Sequence, residues 1–255
     1  RLTQFSLNAG VAIHSLRAVA PTEIQSLTSH SGAAPVHIHI AEQSKEVADC
    51  IAHTGLRPVE WLLANANLDK RWNLVHATHT SVSEIQGIQA QQASVVICPT
   101  TEANLGDGFF DFPEALRQSL SWSIGTDSHV NRNWTEELRL LEYGARLSLR
   151  KRNVALLHKN GHGSTGQVLF EQALQGGSQA AGLPLAGISL GQRADLLEID
   201  LASDSLLGVP SARLMDALIF STPSNNFKGV FVAGQKIDRN SVQWKADFVK
   251  TMTQL

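Results

Sequence analysis

Five short apolar, β-rich runs alternate with helical patterns through the first half of the sequence, and that alternation limits the possible folds more than any other feature. The runs are NAGVAIHS (8–15), PVHIHIA (35–41), NLVHATH (73–79), SVVICP (94–99) and LSWSIGTD (120–127). Between them, APTEIQSLTSH, SKEVADCIAHTG, PVEWLLANA, TSVSEIQGIQAQQ and FPEALRQS carry helical patterns. Thr22 before Glu23, Ser44 before Glu46 and Ser83 before Glu84 read as helix caps. Parallel strands need a crossover, so buried strands separated by helices predict βαβ units and a parallel sheet.

Polar, reactive residues fall where these strands end: His14 and Arg17, His39 and Glu42, His76 and His79, Thr100 to Asn104, Asp127 to His129. A doubly wound sheet gathers its ligands at one switch point, whereas a (β/α)8 TIM barrel uses the C-terminal end of every strand. Chemistry on consecutive strands favours the barrel. Five strands cannot close one, so three more are expected ahead of Arg1, and the chain would hold roughly strands four to eight. The expected division is residues 1–185 as the C-terminal part of the barrel and 186–255 as a small β-sandwich appendage with a terminal helix. In the second half, WTEELRLLEYGARLSLRKR and TGQVLFEQALQGGSQAAG read as helices, 188–201 and 217–237 as short strands and turns, and 241–254 as a last helix. The five tryptophans read as core.

A formal net charge of −2 and the lack of a long Lys/Arg cluster argue against a nucleic-acid partner. The densest basic run, RLSLRKRN at 146–153, reads as a solvated helix end. No apolar run approaches the roughly 20 residues of a membrane span, so no membrane partner is expected. Two cysteines far apart, Cys50 and Cys98, form no disulfide framework and suit a reducing, cytoplasmic setting.

On a strand, His37 and His39 share a face, toward the barrel interior, while Ile38 and Ile40 face the helices. A hydrogen-bonded core pair would explain two histidines. Glu42 is harder to explain this way, because a carboxylate buried beside imidazoles is costly unless a cation or a reacting proton is there. His76 repeats the pattern on the next strand, and Asp127 ends the last one. Imidazoles and a carboxylate on successive strand ends make a partial zinc or iron site.

HIAEQ, LVHATHT, CPTTEANLGDG and GTDSH, in that order, resemble the amidohydrolase superfamily and its deaminase branch. The longer strings AIHSLRAV, HIHIAEQSKEV, CPTTEANLGDG and EELRLLEYGARL are similar, within that branch, to the formimidoylglutamate deiminase family. The HIH of 37–39 is not the superfamily's strand-one HxH pair, because the AEQ after it matches the strand that carries a ligand histidine three residues before the catalytic glutamate. The resemblance therefore implies that His39 and Asp127 bind zinc, together with an HxH pair this sequence lacks, and that iron would suit the same donors. It implies that Glu42 shuttles the proton, that His76 and Asp127 ready the water, and that His14 and Arg17 contact a small dicarboxylate. The implied reaction is hydrolysis of N-formimino-L-glutamate to N-formyl-L-glutamate and ammonia, by an enzyme that pairs as a homodimer. His37, His79, Glu102 and His129 are left without a role, and CPTTEANLGDG reads as a loop. A purine, pterin or S-adenosylhomocysteine-like substrate is the alternative, although the strand ends offer little aromatic surface. A metal-free scaffold is the third reading.

Overall fold

The computed structural model describes residues 8–159, 163–183, 187–222, 226–237 and 242–254. Strands β1 (Val11–Ile13), β2 (Val36–Ile40), β3 (Trp72–His76), β4 (Ser94–Ile97) and β5 (Ser121–Ile124) pair in sequence order as one parallel sheet. Helices α1 (Pro21–His30), α2 (Ser44–Thr54), α3 (Pro58–Asn65), α4 (Val82–Ala90), α5 (Pro99–Leu105) and α6 (Phe112–Arg117) form the crossovers. On β2, Val36, Ile38 and Ile40 are fully buried while His37 and His39 are half-buried, which is the alternation the sequence predicts. The apolar face joins Leu74, Val95 and Ile97 to Ile24, Leu62, Ile85, Ile88 and Leu116 of the covering helices in one core. Each such side chain contributes roughly 1.5–3 kcal/mol by leaving water.

The registers align the strand ends: Ile13 is opposite Ile38, Ile40 opposite His76, and Ile97 opposite Ile124. Five successive loops therefore open at one end of the sheet. At the other end, α8 (Thr165–Ala181) follows α7 (Trp134–Leu149) and a 3-10 turn, Val154–Lys159. Its C-terminal half gathers the beginnings of the strands. Gln179 accepts from Ser121 Oγ at 2.8 Å and donates to the carbonyls of Lys70 and Gln92 at 3.0 Å each. Ala180 O accepts from His37 Nε2 at 2.8 Å, and Gly182 O from Asn8 Nδ2 at 3.1 Å. His37 thus has a structural task, away from the strand ends where Glu42 lies.

Several sequence expectations need correction. Thr22, Ser44 and Ser83 lie inside their helices, not at the caps. Ala20, Gln43 and Ser81 are the capping positions, and only Ser81 caps with its side chain, accepting from Glu84 N. CPTTEANLGDG is not all loop, because Pro99 opens α5 and Gly106, at φ 75°, closes it. Seven residues are too few for a helical period to show in sequence. Of the tryptophans, Trp72 and Trp122 are core, with Phe112 edge-on to Trp122 at 5.0 Å, but Trp244 is 53% exposed. It lies on α10 (Val242–Met252) beside exposed Phe248, Val249 and Met252.

Beyond α8, β6 (Leu196–Ile199), β7 (Phe227–Val232) and β8 (Gln235–Lys236) form a three-stranded antiparallel sheet. Ala217–Phe220, expected as strand, belongs to helix α9 (Leu214–Phe220), and residues 223–225 of that expected run lie outside the described residues. The apolar run ALIF is too short to distinguish strand from helix by period. Arg139 of α7 ties α9 to the barrel side through the carbonyls of Ile219 and Thr222. The basic run ends α7 as expected: Arg146 pairs with buried Glu142 at 2.7 Å, and Arg150, Lys151 and Arg152 are exposed. No helix among the described residues is long and apolar enough to cross a membrane.

Candidate active site

Three strand ends bring His39, His76 and Asp127 together, each offering one ligand atom, all within 4.8 Å of one another. The rings of His39 and His76 stack, with centroids 5.7 Å apart and planes inclined by 25°. The ring of His14 lies 5.5 Å from that of His39. Glu42 Oε1 is 3.6 Å from His76 Nε2. His14, His39, Glu42, His76 and Asp127 thus form one constellation, as the strand-end pattern predicts.

The backbone is unusual at this place. Ala41, His76, Ala77 and Asp127 all hold left-handed conformations, with φ between 39° and 69°. Non-glycine residues cost energy there and persist where surrounding structure imposes the turn. Buried Glu46 imposes one of these turns, accepting from Ala41 N at 3.1 Å and from Glu42 N at 3.0 Å. It thereby sets the turn from which Glu42 projects. Its spacing from Ser44 reads in sequence as helix capping, which hides its action on the preceding loop.

The donor set fits a divalent metal. His39 Nδ1–H donates to the His14 carbonyl at 2.8 Å, which leaves the Nε2 lone pair free to ligate. Two imidazoles and a carboxylate suit zinc or iron. His76, Cys98 and Glu102 form a second close group. Its atoms are otherwise engaged: Glu102 Oε1 accepts from Cys98 N at 2.8 Å and from His76 Nδ1 at 3.2 Å. Burial, followed by the Glu102 and Asp127 charges, pushes the Cys98 thiol far above its ordinary range, so it keeps its proton. This second group is a hydrogen-bond network.

Charge in the site is finely opposed. Burial pushes the Glu42 carboxyl up, and Asp107, Asp127 and Glu46 add to this against the downward pull of His76. Burial pulls His76 down, but the Glu102 hydrogen bond and the charges of Glu42, Glu102 and Asp127 outweigh it and hold the imidazole above its usual value. Two titratable groups, both raised above their ordinary values and side by side, can exchange a proton during a reaction.

The first turn of α5, taken as loop from the sequence, braces this arrangement. Thr100 donates to Glu137 of α7 through N at 2.9 Å and Oγ1 at 2.6 Å. Thr101 Oγ1 meets Ser128 Oγ at 3.0 Å and Ser128 N at 3.3 Å, next to Asp127. Proline at the first helical position with a carboxylate three residues on marks a helix start, and that signal could have revealed Glu102.

Burial raises the Glu137 carboxyl, partly offset by the Thr100 bonds. The native state then binds this proton more tightly than the unfolded chain, so Glu137 contributes most to stability below the ordinary carboxylate range. That contribution fades as pH rises through the shifted value. In urea denaturation across pH, wild type should lose stability relative to Glu137→Gln over this window, then run parallel above it. A pH-independent difference would mean the carboxyl is unshifted.

Arg17 lies on the loop that follows β1. It lines a groove of about 650 Å³ with Leu16, Val19, Asp49, His53 and Trp61, whose walls include neither His39, His76 nor Asp127. Among the described residues it forms no ion pair, and Glu23, its possible structural partner, accepts from Ala20 N instead. His79 and His129 belong to loops: the His79 carbonyl accepts from Arg57, and His129 is exposed.

The sequence profile of the amidohydrolase family matches residues 2–237. The chain belongs to the amidohydrolase family. A crystal structure of an amidohydrolase from Brucella melitensis superposes with a TM-score of 0.89 at 42% identity, covering 96% of this chain and 55% of that one. The five parallel strands are accordingly part of a (β/α)8 amidohydrolase barrel. A formimidoylglutamate deiminase from Pseudomonas aeruginosa is 43% identical over 91% of this chain and 51% of its own length. A 5-methylthioadenosine/S-adenosylhomocysteine deaminase from Pyrococcus abyssi is 27% identical over 78% of this chain and 45% of its own. An adenosine deaminase from Xanthomonas campestris with bound zinc shares the fold, with a TM-score of 0.85 at 24% identity over 96% of this chain and 56% of that one. The chain spans about half the length of the curated relatives it matches.

Proposed function

We propose that this amidohydrolase chain carries part of the active site of an enzyme that hydrolyses N-formimino-L-glutamate to N-formyl-L-glutamate and ammonia. The convergence of His39, His76 and Asp127 beside Glu42 is the observation that carries the chemistry. The choice of a linear amidine is supported by 43% identity to a formimidoylglutamate deiminase, against 27% to an S-adenosylhomocysteine deaminase. His39 and Asp127 would hold the metal, zinc being supported by the zinc in the Xanthomonas structure. Such an ion, when bound, makes hydroxide available near neutral pH.

His76 Nε2 orients the attacking water, with Asp127 sharing in its deprotonation. Water adds to the formimino carbon, and the carbon–nitrogen double bond becomes single in a tetrahedral adduct. Glu42 carries the proton the water gives up to the terminal nitrogen, making it an amine. The adduct's hydroxyl then gives its own proton to that nitrogen through the same carboxyl, so that ammonia leaves as the carbonyl forms. The raised Glu42 carboxyl suits both halves of that transfer. An ammonia-release assay on the full-length protein tests the reading, with formiminoglutamate set against guanine and adenosine derivatives. Release from formiminoglutamate is expected, and release from the heterocycles alone would replace this reading with a purine deaminase.

The substrate's carboxylates need fixed cations, for which Arg17 is the candidate, with His14 three residues before it and its ring 5.5 Å from that of His39. A charge-assisted hydrogen bond is worth about 1.5–3 kcal/mol. Arg17→Ala should therefore raise KM for formiminoglutamate about tenfold or more, with kcat and metal content little changed. An unchanged KM would confine Arg17 to the outer groove.

A further inference from the structure

We propose that Glu102 is a positioning residue for His76, holding the Nδ1–H so that the ring presents only its Nε2 edge to Glu42. The catalytic consequence rests on the reading of His76 given above, whereas the positioning itself does not. Glu102 is 3% exposed, and a carboxylate that far from water is costly unless hydrogen-bonded. Its Oε1 has two N–H partners, one from the backbone at the end of β4 and one from the His76 ring. The first fixes the carboxylate to the sheet, and the second passes that fixity to the imidazole.

On the opposite edge of the ring, nothing comparable among the described residues holds it. Glu42 lies 3.6 Å from Nε2, beyond ordinary hydrogen-bond distance, and the stacked His39 ring restrains the plane without choosing which edge faces which way. A half-turn of the ring would exchange nitrogen for carbon at both edges. Glu102 sets that choice, because the hydrogen bond at one imidazole nitrogen determines what the other can do. Thr101, the preceding residue, holds Ser128 beside Asp127, so one helical turn keeps the His76 ring and the Asp127 turn in a common frame.

The test uses full-length, zinc-loaded protein with ¹⁵N-labelled histidine, in wild type, Glu102→Leu and Glu102→Gln. The His76 signals are assigned by their loss in His76→Asn. Wild type should show a slowly exchanging, downfield Nδ1–H. The Gln variant should keep that signal, moved upfield by the neutral acceptor, and the Leu variant should lose it. With substrate, Glu102→Leu should lose about 10–100-fold in kcat at nearly constant KM and zinc content, and Glu102→Gln should recover most of that loss. An unmoved Nδ1–H in the Gln variant overturns the proposal, also where the Leu variant fails to fold. So does a Gln variant that keeps the signal but is as slow as a folded Leu variant. Should the complete protein release no ammonia from formiminoglutamate, the proposed reaction falls while the nitrogen spectra still decide the role of Glu102.

Discussion

Glu42→Gln should lower turnover of the complete enzyme by about 10²–10⁴-fold, the usual worth of a positioned acid–base group, and leave its metal content unchanged. Glu42 is not one of the residues proposed to hold the metal, His39 and Asp127, so its loss should remove no ligand. Burial, with its acidic neighbours and against the pull of His76, raises its carboxyl above the ordinary value, which favours taking and returning a proton. Glutamine preserves size and the backbone turn that Glu46 sets, but cannot carry the proton. Turnover measured beside zinc stoichiometry checks this, and a Gln variant of near-normal speed would remove Glu42 from the proton path.

The largest expected stability effect lies at the other end of the sheet. α8 crosses β5 so closely that a Cβ on Gly176 would sit 1.8 Å from the Trp122 carbonyl oxygen and 2.4 Å from its carbon. Backbone is the obstacle, so no side chain can turn aside, and helix and strand would have to separate. Gly176→Ala should cost about 3 kcal/mol, the upper part of the range for overpacking. One residue on, a Cβ on Gly177 meets nothing within 4 Å. Gly177→Ala should therefore stabilise by up to about 1 kcal/mol through helix propensity. Urea midpoints of the two variants should move in opposite directions, and equal movement would mean that α8 does not lie against β5 at Gly176.

The parallel sheet was legible because short apolar runs alternate with helical patterns, VHIHI showing its burial in alternate residues, and because reactive side chains stand at or just beyond the strand ends. Those same positions delivered His39, Glu42, His76 and Asp127. What stayed hidden acts on backbone or through a partner distant in sequence. Glu46 grips the two amides before its own helix, Glu102 meets a histidine 26 residues earlier, and His37 bonds a carbonyl 143 residues later. Periodicity reports which face a residue occupies and is silent on its partner. Trp244 was misread for a related reason: an aromatic on an amphipathic helix implies burial only when another element covers that face.

The way α8 gathers the beginnings of the strands also sets an order of events during synthesis. Partners of Gln179 and Ala180 precede them by 58 to 143 residues. At about 5–20 residues per second, the five strands leave the ribosome seconds before the helix that fastens them. Until residues 165–182 have emerged, nascent β1 to β5 go without the hydrogen bonds of Gln179 and Ala180, so strand pairing precedes the fastening of the strand beginnings.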